Sequence, residues 1–120
     1  MNKTVTEWFL TGRCVAFALA LREFSQLPIV LITFYGGLGG YHVMLDDGKL
    51  WWDARGGNSR KKALAFWGEC SSKEIQKISE KTLLKMISNN EFRIIVTKNA
   101  IEKAKNYILS DKRFDKLLYN

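Results

Sequence analysis

Apolar and polar positions change their period several times along this chain. The stretch Cys14-Val-Ala-Phe-Ala-Leu-Ala-Leu21 is apolar on every side. Its three alanines and two leucines favour helix, and a helix that is apolar all round is buried rather than amphipathic. Thr11 is the expected N-cap. The pattern turns polar at Arg22-Glu23 and must stop before Pro28, because proline disfavours helical geometry at the residue before it. Ile29–Tyr35 is rich in β-branched and aromatic residues and reads as a buried strand. Gly36-Gly37-Leu38-Gly39-Gly40 interrupts it. Two further strand-like runs, 41–46 and 49–53, flank Asp47-Gly48, a strong short-range hairpin signal.

Beyond the hairpin, 55–59 reads as a loop and Arg60–Trp67 as a short helix closed by Gly68. Ser71-x-x-Glu74 has the form of a capping box opening a helix to about Ser88. Phe92–Thr97 reads as a strand. Asn99–Leu109 reads as a helix with Ile101, Ala104 and Ile108 on one face, and 111–118 as a further turn or two. Residues 1–11 are a lead-in carrying Trp8, Phe9 and Leu10. The expected fold is a single α+β domain over 1–120, with an N-terminal central helix packed on a small antiparallel sheet, then C-terminal helices and one further strand.

Composition narrows the partners. No apolar run approaches the roughly 18 residues that span a bilayer, so no membrane partner is expected. Met1-Asn2-Lys3-Thr4 is followed by Glu7 with no sustained apolar stretch, so a cytoplasmic rather than secreted chain is expected. Cys14 and Cys70 are too few for a disulfide framework and read as free thiols of a reducing compartment. With a single histidine and no Cys-x-x-Cys, neither a metal nor another cofactor is expected. The net charge of +7 is lopsided: residues 1–60 hold six Lys/Arg against five Asp/Glu, residues 61–120 thirteen against seven. Lys73, Lys77, Lys81 and Lys85 would form a ridge along one helix. Such a basic half is either a solvated face or a surface for an anionic partner. No helix-turn-helix, zinc knuckle or RNP-type strand favours nucleic acid.

The candidate chemistry rests on Cys14, His42 and Asp53. With a two-residue Asp47-Gly48 turn, His42 faces Asp53 directly, with Cβ atoms about 4.5–5.5 Å apart. A carboxylate there fixes the ring tautomer and favours the imidazolium. A helix from Cys14 to about Gln26 runs roughly 18–20 Å, and a strand from Pro28 to Tyr35 covers roughly 23–26 Å. Packed antiparallel, the strand returns the chain to the level of Cys14, and the glycine loop then delivers His42 beside it. Cys14 lies in the first turn of its helix, where the macrodipole and free N–H groups favour an anion. A thiolate activated by a histidine that a carboxylate orients is a pattern for nucleophilic catalysis. The Cys14 N–H is one oxyanion donor, with Asn2, Thr4, Thr6 and Thr11 as candidates for a second. The alternative is structural. Cys14 also shares a helix face with Phe17, Ala18 and Leu21, His42 then being a satisfied strand histidine and Asp53 a cap on the following loop.

Gly12-Arg13-Cys14 opening a helix, His42-Val43-Met44-Leu45 on a strand and Trp51-Trp52-Asp53-Ala54 on the next resemble the papain-like and transglutaminase-like superfamily of thiol enzymes. The order Gly-x-Cys, His, Asp is also similar to arylamine N-acetyltransferases. The resemblance covers Thr11–Gly57 and implies Cys14 as nucleophile, His42 as general base and acid, and Asp53 as the residue orienting His42. Papain-type peptidases carry a glutamine six residues before the cysteine, where this chain has Trp8. The resulting expectation is a thiol hydrolase, a peptidase or amidase, acting through an acyl-enzyme on a protein or peptide-like substrate, acidic ones included. Tyr41, Trp51 and Arg55 are its candidate substrate-binding residues. The alternatives are an acyltransferase or transglutaminase-like enzyme with the same three residues, and a non-catalytic basic module binding nucleic acid or an acidic protein.

Overall fold

The structure, a computed structural model, describes residues 3–10, 12–35, 40–65, 72–91 and 94–118. The expected lead-in is a helix, α1 (Lys3–Leu10), because Val5, Trp8 and Phe9 recur at helical spacing and Phe9 and Leu10 are buried. The helix α2 (Cys14–Ser25) buries Cys14, Val15, Ala16, Phe17, Ala18, Ala20 and Leu21, as its all-round apolar pattern requires. It ends at Gln26, which takes a left-handed φ of 56° and donates its N–H to the Arg22 carbonyl at 2.9 Å. Its N-cap is Arg13, whose side chain makes no capping bond. Thr11, the expected cap, lies outside the described residues.

The strands β1 (Ile29–Tyr35), β2 (Gly40–Asp46), β3 (Trp51–Asp53), β4 (Gly56–Asn58) and β5 (Ser72–Ile78) form one antiparallel sheet ordered β4-β3-β2-β1-β5. Alternate residues serve two cores. Leu31, Val43, Leu45 and Trp52 join α2 in the main core, while Val30, Ile32, Met44 and Trp51 pack with Phe34 and Ala63 in a smaller one. Ala63 belongs to the short helix α3 (Arg60–Ala65); Trp67 and Gly68, expected to finish that helix, lie outside the described residues.

Two expectations fail in the second half. The helix expected to begin at Ser71 is instead β5 over Ser72–Ile78, and a shorter helix α4 (Glu80–Ser88) follows. Only Ile75 and Ile78 mark β5 as apolar, at a spacing that reads as helix. The strand exists because β1, buried along most of its length, needs a pairing partner on its second edge, and β5 matches it from Ile29↔Ile78 to Tyr35↔Ser72. The charges of Lys73, Glu74 and Lys77 suit an edge strand. The helix start moves to Ser79, whose Oγ accepts from the Thr82 N–H at 3.0 Å. The lysine ridge is therefore split, Lys73 and Lys77 lying on β5 and Lys81 and Lys85 on α4. The further strand expected over Phe92–Thr97 is absent from 94–97, which run without regular structure into α5 (Lys98–Ser110). The fifth strand of the sheet is thus β5, and the loop expected at 55–59 contains β4.

A 3-10 turn (Lys112–Phe114) and α6 (Asp115–Leu118) close the chain over the main core. Phe114, fully buried, stacks against Phe17 and Trp52 with ring centres 5.7 Å and 6.1 Å apart, joining α2 to β3. Among the described residues no helix is long and apolar enough to cross a membrane.

Gly57 tests this packing. A Cβ there would lie 2.7 Å from Cζ2 of Trp52, whose ring is fixed against Phe114. Gly57→Ala is expected to cost about 1–3 kcal/mol by overpacking, read from chemical denaturation midpoints. A change of only a few tenths would mean that the Trp52 ring does not lie over Gly57.

Candidate active site

The β2–β3 connection differs from the expected two-residue turn. It is built by Asp47, whose Oδ1 accepts from the N–H groups of Lys49 (2.8 Å) and Leu50 (2.7 Å) and whose Oδ2 accepts from Trp52 Nε1 (2.8 Å). Gly48 turns the chain at φ +95°. The hairpin closes with the Asp47 N–H on the Leu50 carbonyl at 3.1 Å. Pairing then runs Asp46↔Trp51 and Leu45↔Trp52, a slip of two residues from the expected register. By this register Asp53 falls opposite Met44, not His42. A slip of two preserves the face, and diagonal neighbours on one face remain within reach of long side chains. His42 Nε2 and Asp53 Oδ2 are 2.9 Å apart.

Asp53 is held from three sides. His42 is one. Arg55 is the second, with Nη2 at 2.6 Å from Oδ2 and Nε at 3.1 Å from both oxygens. The Arg55 backbone N–H, donating to Oδ1 at 2.8 Å, is the third. Arg55 also donates to the Ala63 carbonyl at 3.2 Å. Its guanidinium, expected to bind substrate, is thus applied to Asp53. Burial raises the Asp53 pKa, but hydrogen bonds and charge from His42 and Arg55 outweigh it and hold the carboxyl at about 2. His42 is 1% exposed. Burial pushes its ring toward the neutral form; hydrogen bonds to Asp53 and Cys14, with their charges, prevail and leave it above its ordinary value.

Cys14 is the first residue of α2 and is 4% exposed. Its thiol lies beside His42 and Tyr41, near enough to shift the titration of both. The Tyr41 phenol is raised, first by burial and then by the charge and hydrogen bond of Cys14. Cys14, His42, Asp53, Tyr41 and Arg55 therefore form one connected cluster. Trp51 lies apart from the thiol in the smaller core, 7% exposed, with Arg60 5.3 Å from its ring centre. Thr6, a candidate oxyanion donor, lies 2.8 Å from the Tyr107 hydroxyl instead. Asn2, Thr11, Gly36–Gly39 and Cys70 lie outside the described residues, as does the side chain of Thr4. Among the described residues no group of three His, Cys, Asp or Glu side chains is placed to hold a metal ion.

Three residues that the sequence reading passed over reach the same place. Arg113 donates to the carbonyls of Arg55 (2.7 Å) and Ala54 (3.1 Å), and Tyr107 Oη to that of Ala54 (3.1 Å). Asp111 grips Arg113, with Oδ2 at 2.8 Å from Nη2. A signal existed: Asp111-x-Arg113 repeats the spacing of Asp53-x-Arg55.

The buried pair sets a pH dependence of stability. The Asp53 carboxyl drops from 3.8 to about 2 on folding, so its contribution is complete above about pH 4 and disappears as pH falls through 2. His42 is raised from 6.5, so its contribution is complete below that value and is lost as pH rises through the folded one. Urea midpoints should therefore be highest between about pH 4 and 6.5, and Asp53→Asn should flatten the alkaline decline. A wild-type midpoint that climbs from pH 6.5 to 8 would reverse the assigned sign. No protein-family model, no curated protein and no solved structure matches the chain.

Proposed function

We propose that this protein is a thiol hydrolase, a peptidase or amidase of the papain-like and transglutaminase-like kind, working through an acyl-enzyme on a protein or peptide-like substrate. The observation that carries the reading is that His42 bonds Asp53 while Cys14, the opening residue of α2, lies close enough to act on the same ring. With Nε2 committed to Asp53, Nδ1 is the nitrogen left to take the thiol proton. The carboxylate then faces the imidazolium that forms, and the helix terminus faces the thiolate. The sulfur adds to the substrate carbonyl, and the developing oxyanion takes the Cys14 backbone N–H. His42 returns its proton to the leaving amine as the C–N bond breaks, giving a thioester. Water, deprotonated by His42, then hydrolyses the thioester and restores the thiol. Transfer to an amine in place of water uses the same thioester, so acyl transfer is the neighbouring activity. Free thiol chemistry of this kind suits the reducing cytoplasm.

The 4% exposure of Cys14 favours a second reading, a buried polar network that ties the start of α2 to the sheet. Alkylation of the folded protein separates the two. Under the enzymatic reading Cys14 reacts with iodoacetamide at neutral pH much faster than Cys70, and His42→Ala removes the advantage. Slow, equal labelling of both thiols in the wild type would overturn catalysis and leave the structural network.

A further inference from the structure

We infer that Arg113, gripped by Asp111, is a positioning residue for the Cys14–His42–Asp53 site, so that the C-terminal turn is part of that site's machinery; the inference rests on the enzymatic reading for its consequence in rate, but not for its geometry. Asp53 and Arg55 bracket a tight turn, and the turn's outward carbonyls are those of Ala54 and Arg55. Arg113 takes both, through Nη2 at 3.1 Å and Nη1 at 2.7 Å. Tyr107, itself 2.6 Å from Arg113 Nη2, takes the Ala54 carbonyl a second time at 3.1 Å. The following residue, Gly56, sits at φ +92°, and a Cβ there would lie 3.4 Å from Cβ and Cδ of Arg113. The side chain and the turn are thus fitted together.

Arg113 is held by the same device that holds Arg55. In each case the arginine N–H donates to the Oδ1 of the aspartate two residues earlier, at 2.8 Å for Asp53 and 2.9 Å for Asp111. In each case Nε and Nη2 clasp the carboxylate, with Nη2–Oδ2 distances of 2.6 Å and 2.8 Å. The first clasp aims a carboxylate at His42. The second aims a planar guanidinium at the backbone carrying the first. A lysine could match the charge but not the two fixed donor directions. Releasing the turn lets Asp53 move relative to His42, and displacements of about 1 Å in such an arrangement cost up to about 100-fold in rate.

His42 is the chain's sole histidine, so its ring resonances are assigned without ambiguity. The experiment records the Nε2–H proton signal and the titration of His42 by NMR, together with the pH profile of Cys14 alkylation, in wild type, Arg113→Lys, Asp111→Asn and Lys112→Gln. Lys112 is exposed and removes one positive charge from the same turn without touching the clasp. In Arg113→Lys and Asp111→Asn the Nε2–H signal should exchange faster with water and the His42 titration should move to lower pH. Neutral-pH alkylation of Cys14 should fall about tenfold or more. Lys112→Gln should match wild type. Should Arg113→Lys fail to fold, Asp111→Asn, which retains the arginine, still reports. Unchanged His42 signals in both clasp variants, or equal changes in Lys112→Gln, would overturn the inference. Slow alkylation in the wild type with clasp-sensitive His42 signals would instead remove the catalytic reading and leave the positioning role standing.

Discussion

A carboxylate inside a protein must be compensated by opposite charge and by hydrogen bonds, because removing it from water otherwise costs several kcal/mol. Asp53 meets that demand with two bonded groups of opposite charge and one backbone N–H. Much of the local structure follows from the demand. Arg55 folds back onto the residue two before it. His42, on the neighbouring strand, is drawn onto the remaining face of the carboxylate. The turn is then left with outward carbonyls that need donors of their own, and Arg113 and Tyr107 arrive from the C-terminal segment to supply them. The polar cluster is therefore continuous from α2, through the sheet, to the last helices.

The first half of the fold was legible because its elements carry their own signals. The apolar block of α2 and the β-branched run of β1 are local features, and α2, β1 and β2 lie close to their expected bounds. The His42–Asp53 contact was legible for a subtler reason. The turn geometry was wrong, since the Asp47 side chain caps a longer connection than Asp-Gly alone suggests. The error was an even number of residues, so the face was kept and the diagonal contact replaced the direct one. A slip of one residue would have put Asp53 on the opposite side of the sheet.

The second half was less legible because its elements are set by what they pack against. The strand β5 is polar, has no alternating pattern and exists to complete the pairing of β1. The edge position that makes it polar also removes the periodicity by which a strand is recognised. Arg113 was missed for a related reason. An Asp-x-Arg tripeptide has no meaning until the fold decides what the guanidinium faces. Two such tripeptides in one chain are a clue only once the first is known to serve a buried carboxylate.

Burial of Cys14 bears on which reading of the cluster is favoured. Apolar residues of similar volume would hold α2 against the sheet at no loss, since buried charged networks are often neutral or unfavourable compared with apolar packing. The chain instead sets a thiol and a carboxylate against its single histidine and backs the carboxylate with two successive arginine clasps, at a point where Phe17, Trp52 and Phe114 already supply adhesion. A network that adds constraint without adding needed cohesion is one of the local departures expected where function, not folding, selects the residues. The direction of the constraint supports the same conclusion. Each outer layer fixes the orientation of the one inside it, Asp111 fixing Arg113, Arg113 the turn, the turn and Arg55 fixing Asp53, and Asp53 the ring of His42. Successive orientation of this kind contributes little to cohesion, yet it is what a proton exchange between a ring nitrogen and a sulfur requires.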